Sequence, residues 1–188
     1  MGLLQRLGLR PAEPLPPLGA SDDEPAITVR LVEDTHTFYG DSGEPIWCGG
    51  LSPIDDKDGR YLSEAEHHTS DPRVYLCKVA GARHYHDVLD NSRVGQGTLV
   101  ILKAEPDNPY DEHAVGIWGV LDGEHLGQLG HVPATLAPEV AAILASGQQM
   151  GGQVIREYRL GSSRGKRVGL HVLIAPAGPV SLVIEDGE

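Results

Sequence analysis

The sequence is poor in cysteine and in aromatic residues, and it contains no long apolar run. The two cysteines among its 188 residues, Cys48 and Cys77, form no Cys-x-x-Cys pair, so neither a disulfide framework nor a zinc ribbon is indicated. No stretch approaches the roughly 20 apolar residues needed to cross a bilayer, and residues 1–6 lack the apolar core of a secretory signal. We therefore expect a soluble, intracellular, cytoplasmic protein with no membrane span.

Glycine and proline are abundant instead, with 24 and 14 residues, which is typical of short strands separated by turns. Apolar residues are concentrated in the intervening stretches, and in residues 26–32 and 125–132 they alternate with polar ones, which predicts strands. These strands span residues 26–32, 74–80, 97–104, 114–121, 125–132, 153–160, 167–174 and 180–184. A helix is predicted over residues 134–145, with Pro138 in its first turn and Gly147 after its end. The predicted fold is mainly β, a small antiparallel barrel resembling the oligonucleotide-binding fold with one or two short helices.

The chain divides into four predicted segments. Residues 1–26 form a flexible arm, in which a short amphipathic leucine segment precedes a linker rich in proline and acidic residues. Residues 27–72 are expected to be an irregular extension with a possible strand at its start. Residues 73–175 form the barrel, and residues 176–188 supply a last strand and an acidic tail. A chain of this length holds one ordinary domain with extensions.

The formal net charge of −12 is unevenly distributed. Residues 1–72 carry 5 basic and 14 acidic side chains, whereas residues 73–175 carry 10 of each. The acidity therefore belongs to the arms and leaves the barrel neutral. Five of its cations fall within residues 156–167, opposed only by Glu157. This run is either a solvated hairpin or an edge that contacts phosphates.

The most specific local pattern is the segment EPDNPYD at residues 105–111. Its two prolines exclude a helix or a central strand, so a stiff loop is predicted. The loop carries a tyrosine, an asparagine and three carboxylates, and predicted strands lead into it and out of it. A β-barrel commonly places a binding site on such a loop.

Three motifs in this order resemble the HIRAN domain. They are VAGARHY at residues 79–85, the central segment that begins at Glu105 and continues to Ala114 and Val115, and G-x-x-L-G-x-L at residues 123–129. The resemblance covers roughly residues 73–175. It implies a barrel akin to the oligonucleotide-binding fold that captures the 3′ end of single-stranded DNA.

The resemblance also implies roles for individual residues. Arg83 would contact phosphate, Tyr110 would stack on a base, Asp111 would accept the terminal 3′-hydroxyl, and Asn108 would brace the loop. A tyrosine ring can stack on any base for about 1–3 kcal/mol without reading sequence. The alternative from the residues alone is that Tyr110 anchors the loop and Asp111 caps a turn.

The chain departs from the family pattern at three of the expected contact positions. His84 stands where a second aromatic residue is common, and Gln128 and His131 stand where a histidine and a lysine are found in a fork-remodelling member. Losing a fixed cation weakens the attraction for the backbone. The predicted DNA-binding residues are Arg83, His84, Tyr85, Asn108, Tyr110, Asp111, Gln128, His131, Arg164, Lys166 and Arg167.

Other functions remain open from the sequence. A zinc site could form from Cys77, His84 and His86, although zinc prefers three or four ligands in tetrahedral array. The carboxylates of the 105–112 loop could hold a divalent cation for a nuclease. A protein-interaction or assembly role, with residues 1–10 docking on a partner, is the main alternative. We predict a module without catalysis or cofactor that binds single-stranded DNA or DNA ends.

Overall fold

The computed structural model describes residues 27–55, 57, 59–62, 69, 71–176 and 180–185. The predicted arm, residues 1–26, lies outside the described residues. The strands are β1 (Ile27–Tyr39), β2 (Pro45–Pro53), β3 (Tyr75–Lys78), β4 (Leu99–Ala104), β5 (Val115–Leu121), β6 (Glu124–His131), β7 (Met150–Leu160), β8 (Arg167–Pro176) and β9 (Val180–Glu185). A 3-10 turn (Ala82–Tyr85) runs into the one-turn helix α1 (His86–Leu89), and α2 spans Ala137–Ala145. The mainly β fold predicted from the sequence is confirmed.

The strands form one nine-stranded sheet in which neighbours are antiparallel, except that β1 pairs in parallel with β9. Its main path runs β6-β5-β4-β7-β2-β1-β9, and β8 pairs with both β7 and β3. The first half of β7 pairs with β4 and its second half with β2, while β8 lies along its other edge. The long strand β7 is therefore the junction between the barrel and the extension formed by β1, β2 and β9.

The barrel is nearly closed by a single residue pair. Ala80 follows β3, and its backbone N–H and C=O exchange hydrogen bonds of 2.8 and 2.9 Å with His131 at the end of β6. Gly130 makes this approach possible, because a Cβ atom there would lie 2.4 Å from the Ala80 carbonyl oxygen. Strands β6, β5, β4, β7, β8 and β3 thus wrap into a small, partly open barrel of the predicted type.

Two hydrophobic cores lie on opposite faces of the sheet. Alternation along β8 sends Leu170, Val172 and Ile174 into the barrel core, and Leu173 and Ala175 into a second core with β1, β2 and β9. Side chains on successive residues of a strand point to opposite faces, so a strand covered on both faces is apolar almost continuously. The extension is consequently part of the same folded unit as the barrel.

The prediction of irregular structure between residues 33 and 72 is wrong for much of its length. Residues 33–39 continue β1, and β2 returns antiparallel to it, with Leu31 opposite Pro53 and Tyr39 opposite Pro45. The pattern of alternation fails there because β1 is exposed on both faces beyond its first half. Backbone pairing with β2, which is itself held by β7, keeps this segment extended without a buried face of its own.

The remaining boundaries fall close to those expected. The Asp122-Gly123 turn links β5 to β6 with positive φ at both residues, as a two-residue hairpin requires. The one-turn α1 and the preceding 3-10 turn were missed as separate elements, because eight residues are too few for helical periodicity to show. None of the helices in the described part of the chain has the length and apolar character required to cross a lipid bilayer.

Candidate nucleic-acid interface

The loop between β4 and β5 is closed by its own backbone. Glu105 N–H donates to the Ala114 carbonyl at 2.8 Å, and Ala114 N–H donates to the Asp111 carbonyl at 3.0 Å. Within the loop, Asn108 N–H donates to the Glu105 carbonyl at 2.9 Å. These bonds and the fixed φ of the two prolines leave the loop few alternative conformations.

Within the loop, Asn108 makes the bracing hydrogen bonds and Tyr110 presents its ring to solvent. The Asn108 amide donates to Glu105 Oε2 at 3.1 Å, and its carbonyl oxygen accepts the Tyr110 N–H at 3.0 Å. The Tyr110 side chain projects outward and is 95% exposed. Tyr110 therefore does not anchor the loop, and its ring is available to a ligand from solvent.

Asp111 is engaged on one side only. Its Oδ1 accepts the backbone N–H of His113 at 2.9 Å, which is the turn-capping role considered as the alternative. Among the described residues, no donor reaches the second carboxylate oxygen. The cap fixes the orientation of the carboxylate beside Tyr110 and leaves Oδ2 able to accept a hydrogen bond.

Glu105 is the centre of a polar cluster under the loop. Its Oε1 accepts from Gln128 Nε2 at 3.0 Å, and its Oε2 lies 3.1 Å from His131 Nε2 and accepts from Asn108. Burial alone would raise the pKa of Glu105, but the hydrogen bonds from Asn108, His131 and Gln128 hold that pKa below its usual value. The cluster joins the loop to β6 through a charged carboxylate that was missed as a site residue.

Gly116 on β5 makes room for this cluster. A Cβ atom there would lie 2.4 Å from Glu105 Oε1, 2.9 Å from Gln128 Nε2 and 2.9 Å from Trp118 Nε1. The three side chains thus converge on one point of the outer sheet face, and a side chain at position 116 would require them to shift.

The 3-10 turn brings Arg83, His84 and Tyr85 to the same end of the barrel. The turn begins just after Ala80, which is paired with His131, and the Tyr85 ring centroid lies 5.8 Å from the His131 ring. Burial, together with the nearby Glu105 carboxylate, raises the pKa of the Tyr85 phenol. Arg83 and His84 are exposed, and Arg83 Nε donates to His84 Nε2 at 3.3 Å.

Arg167, one of the predicted DNA-binding residues, does not lie on an exposed phosphate-contacting edge. Arg167 is only 5% exposed, forms a 2.8 Å ion pair with Glu157, and donates to the Leu89 and Val94 carbonyls. Arg167 can be buried in this way because a guanidinium with five donors can satisfy several buried acceptors at once. Arg167 ties β8 to the segment after α1 and is not placed to bind a ligand.

The other cations of the run divide into two groups. Arg156 pairs with Asp34, and Arg159 with Glu157 at 2.6 Å. Arg164 and Lys166 are exposed at the tip of the β7–β8 hairpin.

The tip lies far from Tyr110. Leu99 of β4 is opposite Gln153 of β7, and β4 runs from there toward the loop while β7 runs toward the tip. About twelve strand positions at about 3.3 Å each separate the two, a span on the order of 30–40 Å. Arg164 and Lys166 therefore cannot share one pocket with Tyr110.

Among the described residues, the structure does not bring the candidate metal ligands together. Cys77 is fully buried in the barrel core, and that burial raises the pKa of its thiol to about 12. A thiol in that state is a poor metal ligand, since metals bind the thiolate. In the described ranges, no three side chains of His, Cys, Asp or Glu gather as a metal site would require.

Lys103 and Trp118 were also missed by the sequence analysis. The Lys103 Nζ lies 4.6 Å from the centroid of the Trp118 ring, in a cation–π contact on the outer face of β4 and β5. Trp118 Nε1 is buried and has no hydrogen-bond acceptor among the described residues. Residues 97–102 are an apolar run that gave no signal for Lys103, and only the pairing of β4 with β5 shows its partner.

The fold and the site together define a class. A small open barrel presents an exposed tyrosine, a capped carboxylate and an exposed arginine at one end, as nucleic-acid-binding barrels do. The HIRAN domain family model matches residues 73–175, more than half of the chain. The chain belongs to the HIRAN domain family, a family of nucleic-acid-binding modules.

One solved structure is similar to about half of the chain. It is a protein from Lactobacillus plantarum, 22% identical, and the similarity covers 55% of this chain and 92% of that protein with a TM-score of 0.42. No curated protein matches the chain.

Proposed function

We propose that this protein binds single-stranded DNA and DNA 3′ ends at the surface formed by Arg83, Tyr110 and Asp111, without catalysis of its own. The observation that carries the proposal is the 95% exposure of Tyr110 on a loop braced by Asn108 and Glu105. An exposed ring normally loses conformational freedom when it stacks, and bracing the loop beforehand reduces that cost.

The chemistry of an end follows from Asp111. A carboxylate repels an internal phosphate, but its free oxygen can accept a hydrogen bond from a terminal 3′-hydroxyl. Arg83, on the adjoining 3-10 turn, supplies a guanidinium for the phosphate that precedes the terminal nucleotide. A 3′-phosphate would place two like charges together, so the proposed site distinguishes a hydroxyl end from a phosphorylated one.

A titration of labelled oligonucleotides tests the proposal. We expect a single strand with a 3′-hydroxyl to bind at least about tenfold more tightly than the same strand with a 3′-phosphate, since a hydrogen bond to a charged group is lost. A blunt duplex should bind more weakly than either, because its terminal base is paired. Absence of binding to any oligonucleotide at low salt would overturn the proposal.

The variant Asp111→Asn separates the end-recognition part from general binding. Asn keeps an oxygen to cap the His113 N–H but removes the negative charge. Its discrimination against the 3′-phosphate should shrink while binding of the hydroxyl end is retained. Unchanged discrimination would show that Asp111 does not read the end. A protein partner at residues 1–10 remains a separate prediction, on a segment outside the described residues.

A further inference from the structure

Ion pairing sorts the cations of the barrel into two sets. Arg93 pairs with Glu124 and Arg73 with Asp71, as the arginines of the β7–β8 hairpin stem pair with Glu157 and Asp34. Within the described residues, Arg83, Lys103, Arg164 and Lys166 form no ion pair with a carboxylate. Arg164 and Lys166 lie at the hairpin tip, whereas Arg83 and Lys103 lie near the Tyr110 loop. An unpaired cation on a protein of strongly negative charge is available to an anionic ligand.

Lys103 is held in position by Trp118. Its ammonium lies 4.6 Å from the centre of a ring whose nitrogen edge is buried against the Glu105–Gln128 pair. A cation–π contact of this kind restrains the long lysine side chain without neutralising its charge. Lys103 therefore keeps its charge and loses part of the conformational freedom that binding would otherwise remove.

The position of Lys103 continues the proposed site along the sheet. Lys103 lies opposite Gly116, and Trp118 lies opposite Gln128 on β6. The Glu105 cluster that braces the Tyr110 loop is therefore the direct neighbour of the Lys103–Trp118 pair. A single-stranded nucleic acid whose last base stacks on Tyr110 can extend over this outer face of β4, β5 and β6.

We propose that Lys103 is a phosphate-binding residue of this interface and that Trp118 is its positioning residue. This inference rests on the proposed function. It accounts for the uncharged Gln128 and the histidine at position 131, since the cation for the nucleic-acid backbone is supplied from β4 instead of β6. The bound chemistry is an internal phosphodiester one or more nucleotides before the 3′ end.

The salt dependence of binding measures this phosphate contact directly. For single strands, log K falls with log salt with a slope of about −0.7 for each phosphate neutralised. Lys103→Gln should make that slope less negative by about 0.7 and weaken binding of a ten-nucleotide single strand about two- to fivefold at low salt. Lys57→Gln removes an equal charge from an exposed lysine that follows β2 and serves as the matched control, with slope and affinity unchanged.

Trp118→Leu tests the positioning role. It should weaken binding by less than Lys103→Gln. In a protein that already carries Trp118→Leu, Lys103→Gln should reduce the affinity for a single strand by a smaller factor than in the natural protein. The reason is that the Lys103 ammonium is no longer restrained by the ring. Thermal unfolding of each variant, followed by circular dichroism, shows that the fold is retained. Circular dichroism also identifies a misfolded Trp118→Leu variant, in which case Trp118→Ile, which suits a strand and has no ring face, replaces it.

The outcomes separate this inference from the proposed function. Suppose that the natural protein binds single-stranded oligonucleotides and that Tyr110→Ala lowers this affinity. If Lys103→Gln then leaves the salt slope unchanged, the inference is overturned and the proposed function stands. If Lys103→Gln and Lys57→Gln reduce the salt slope equally, the effect of Lys103 is general charge attraction and the inference is again overturned. If the natural protein binds no oligonucleotide, the proposed function itself fails.

Discussion

At the scale of the residue, two tyrosines of this chain show why exposure matters more than identity. Tyr75 lies in the barrel core, where its hydroxyl donates to Glu139 at 2.9 Å, and burial raises the pKa of that phenol to about 12. Tyr110 makes no such contribution to the core, since its side chain lies almost wholly in solvent. A large aromatic side chain kept in water by a braced loop points to a ligand.

Replacing Tyr110 should therefore separate binding from stability. Tyr110→Ala is expected to cost about 1–3 kcal/mol in affinity for a single strand, the value of one base–aromatic stack. The midpoint of urea unfolding should stay the same, because the ring packs on little. Fluorescence anisotropy and urea titration measure the two quantities. Tyr39→Ala, at a 74% exposed tyrosine on the extension, is the matched control and should leave affinity unchanged; equal losses would contradict the prediction.

Arg167 is the opposite case, a charged residue with a structural role. Arg167→Gln is expected to lower the free energy of unfolding by about 3 kcal/mol, because Glu157 and two buried carbonyls lose a donor. Arg164→Gln, at the exposed hairpin tip, should change that free energy by less than about 0.5 kcal/mol. Urea unfolding at neutral pH compares them. An Arg167 variant as stable as the natural protein would show that the ion pair contributes no net stability.

At the scale of the element, β5 carries both core and site on alternate residues. Val115 and Ile117 face the barrel core, and Gly116 and Trp118 face the outer cluster. The site therefore inherits the rigidity of a central strand, with β4 on one side and β6 on the other.

Two glycines of β5 offer a matched test of this arrangement. In Gly116→Ala the new Cβ would lie 2.4 Å from Glu105 Oε1, so the Glu105–Gln128 contact must open. We expect a stability loss of about 1–3 kcal/mol, typical of overpacking, together with weaker binding of single strands. In Gly119→Ala the nearest atom would be 3.5 Å away, an ordinary contact. That variant should bind normally, and equal behaviour of the two variants would contradict the proposed role of Glu105.

At the scale of the whole molecule, buried and half-buried carboxylates link stability to pH. Burial alone would raise the pKa of Glu157, but Arg167 and Arg159 hold that pKa below the ordinary value of 4.5. A carboxyl whose pKa is lower in the folded state stabilises the fold above its unfolded-state pKa. The stabilisation is lost as the pH falls through the folded-state pKa.

The protein should accordingly lose stability when the pH is lowered from 7 to about 3, as the lowered pKa of Glu157, Glu105 and Asp34 requires. Urea unfolding across this range measures the loss. Glu157→Gln should be less stable than the natural protein at pH 7 and should show a smaller decline toward acid. A decline that is unchanged in Glu157→Gln would show that other carboxyls account for it.

The sequence alone determined most of the barrel and the loop on which the proposed site lies. Alternating apolar residues and glycine turns placed its strands to within a few residues, because local pattern and burial agree there. The two prolines and Asn108 likewise determined a stiff loop, and the family motifs directed attention to Arg83, Tyr110 and Asp111.

Only the tertiary structure decided which charges are available and which elements meet. Arg164 and Arg167 are the same residue type, yet Arg164 is exposed, whereas Arg167 is buried and donates to a buried carbonyl. The extended course of β1 and β2 depends on the pairing of β2 with the distant β7, and the Lys103–Trp118 contact depends on the pairing of β4 with β5. Neither pairing leaves a local periodicity to read. Whether a charged side chain is buried, and which group it pairs with, depends on how the chain packs. The sequence therefore identified the cations but not which of them are exposed and which are paired.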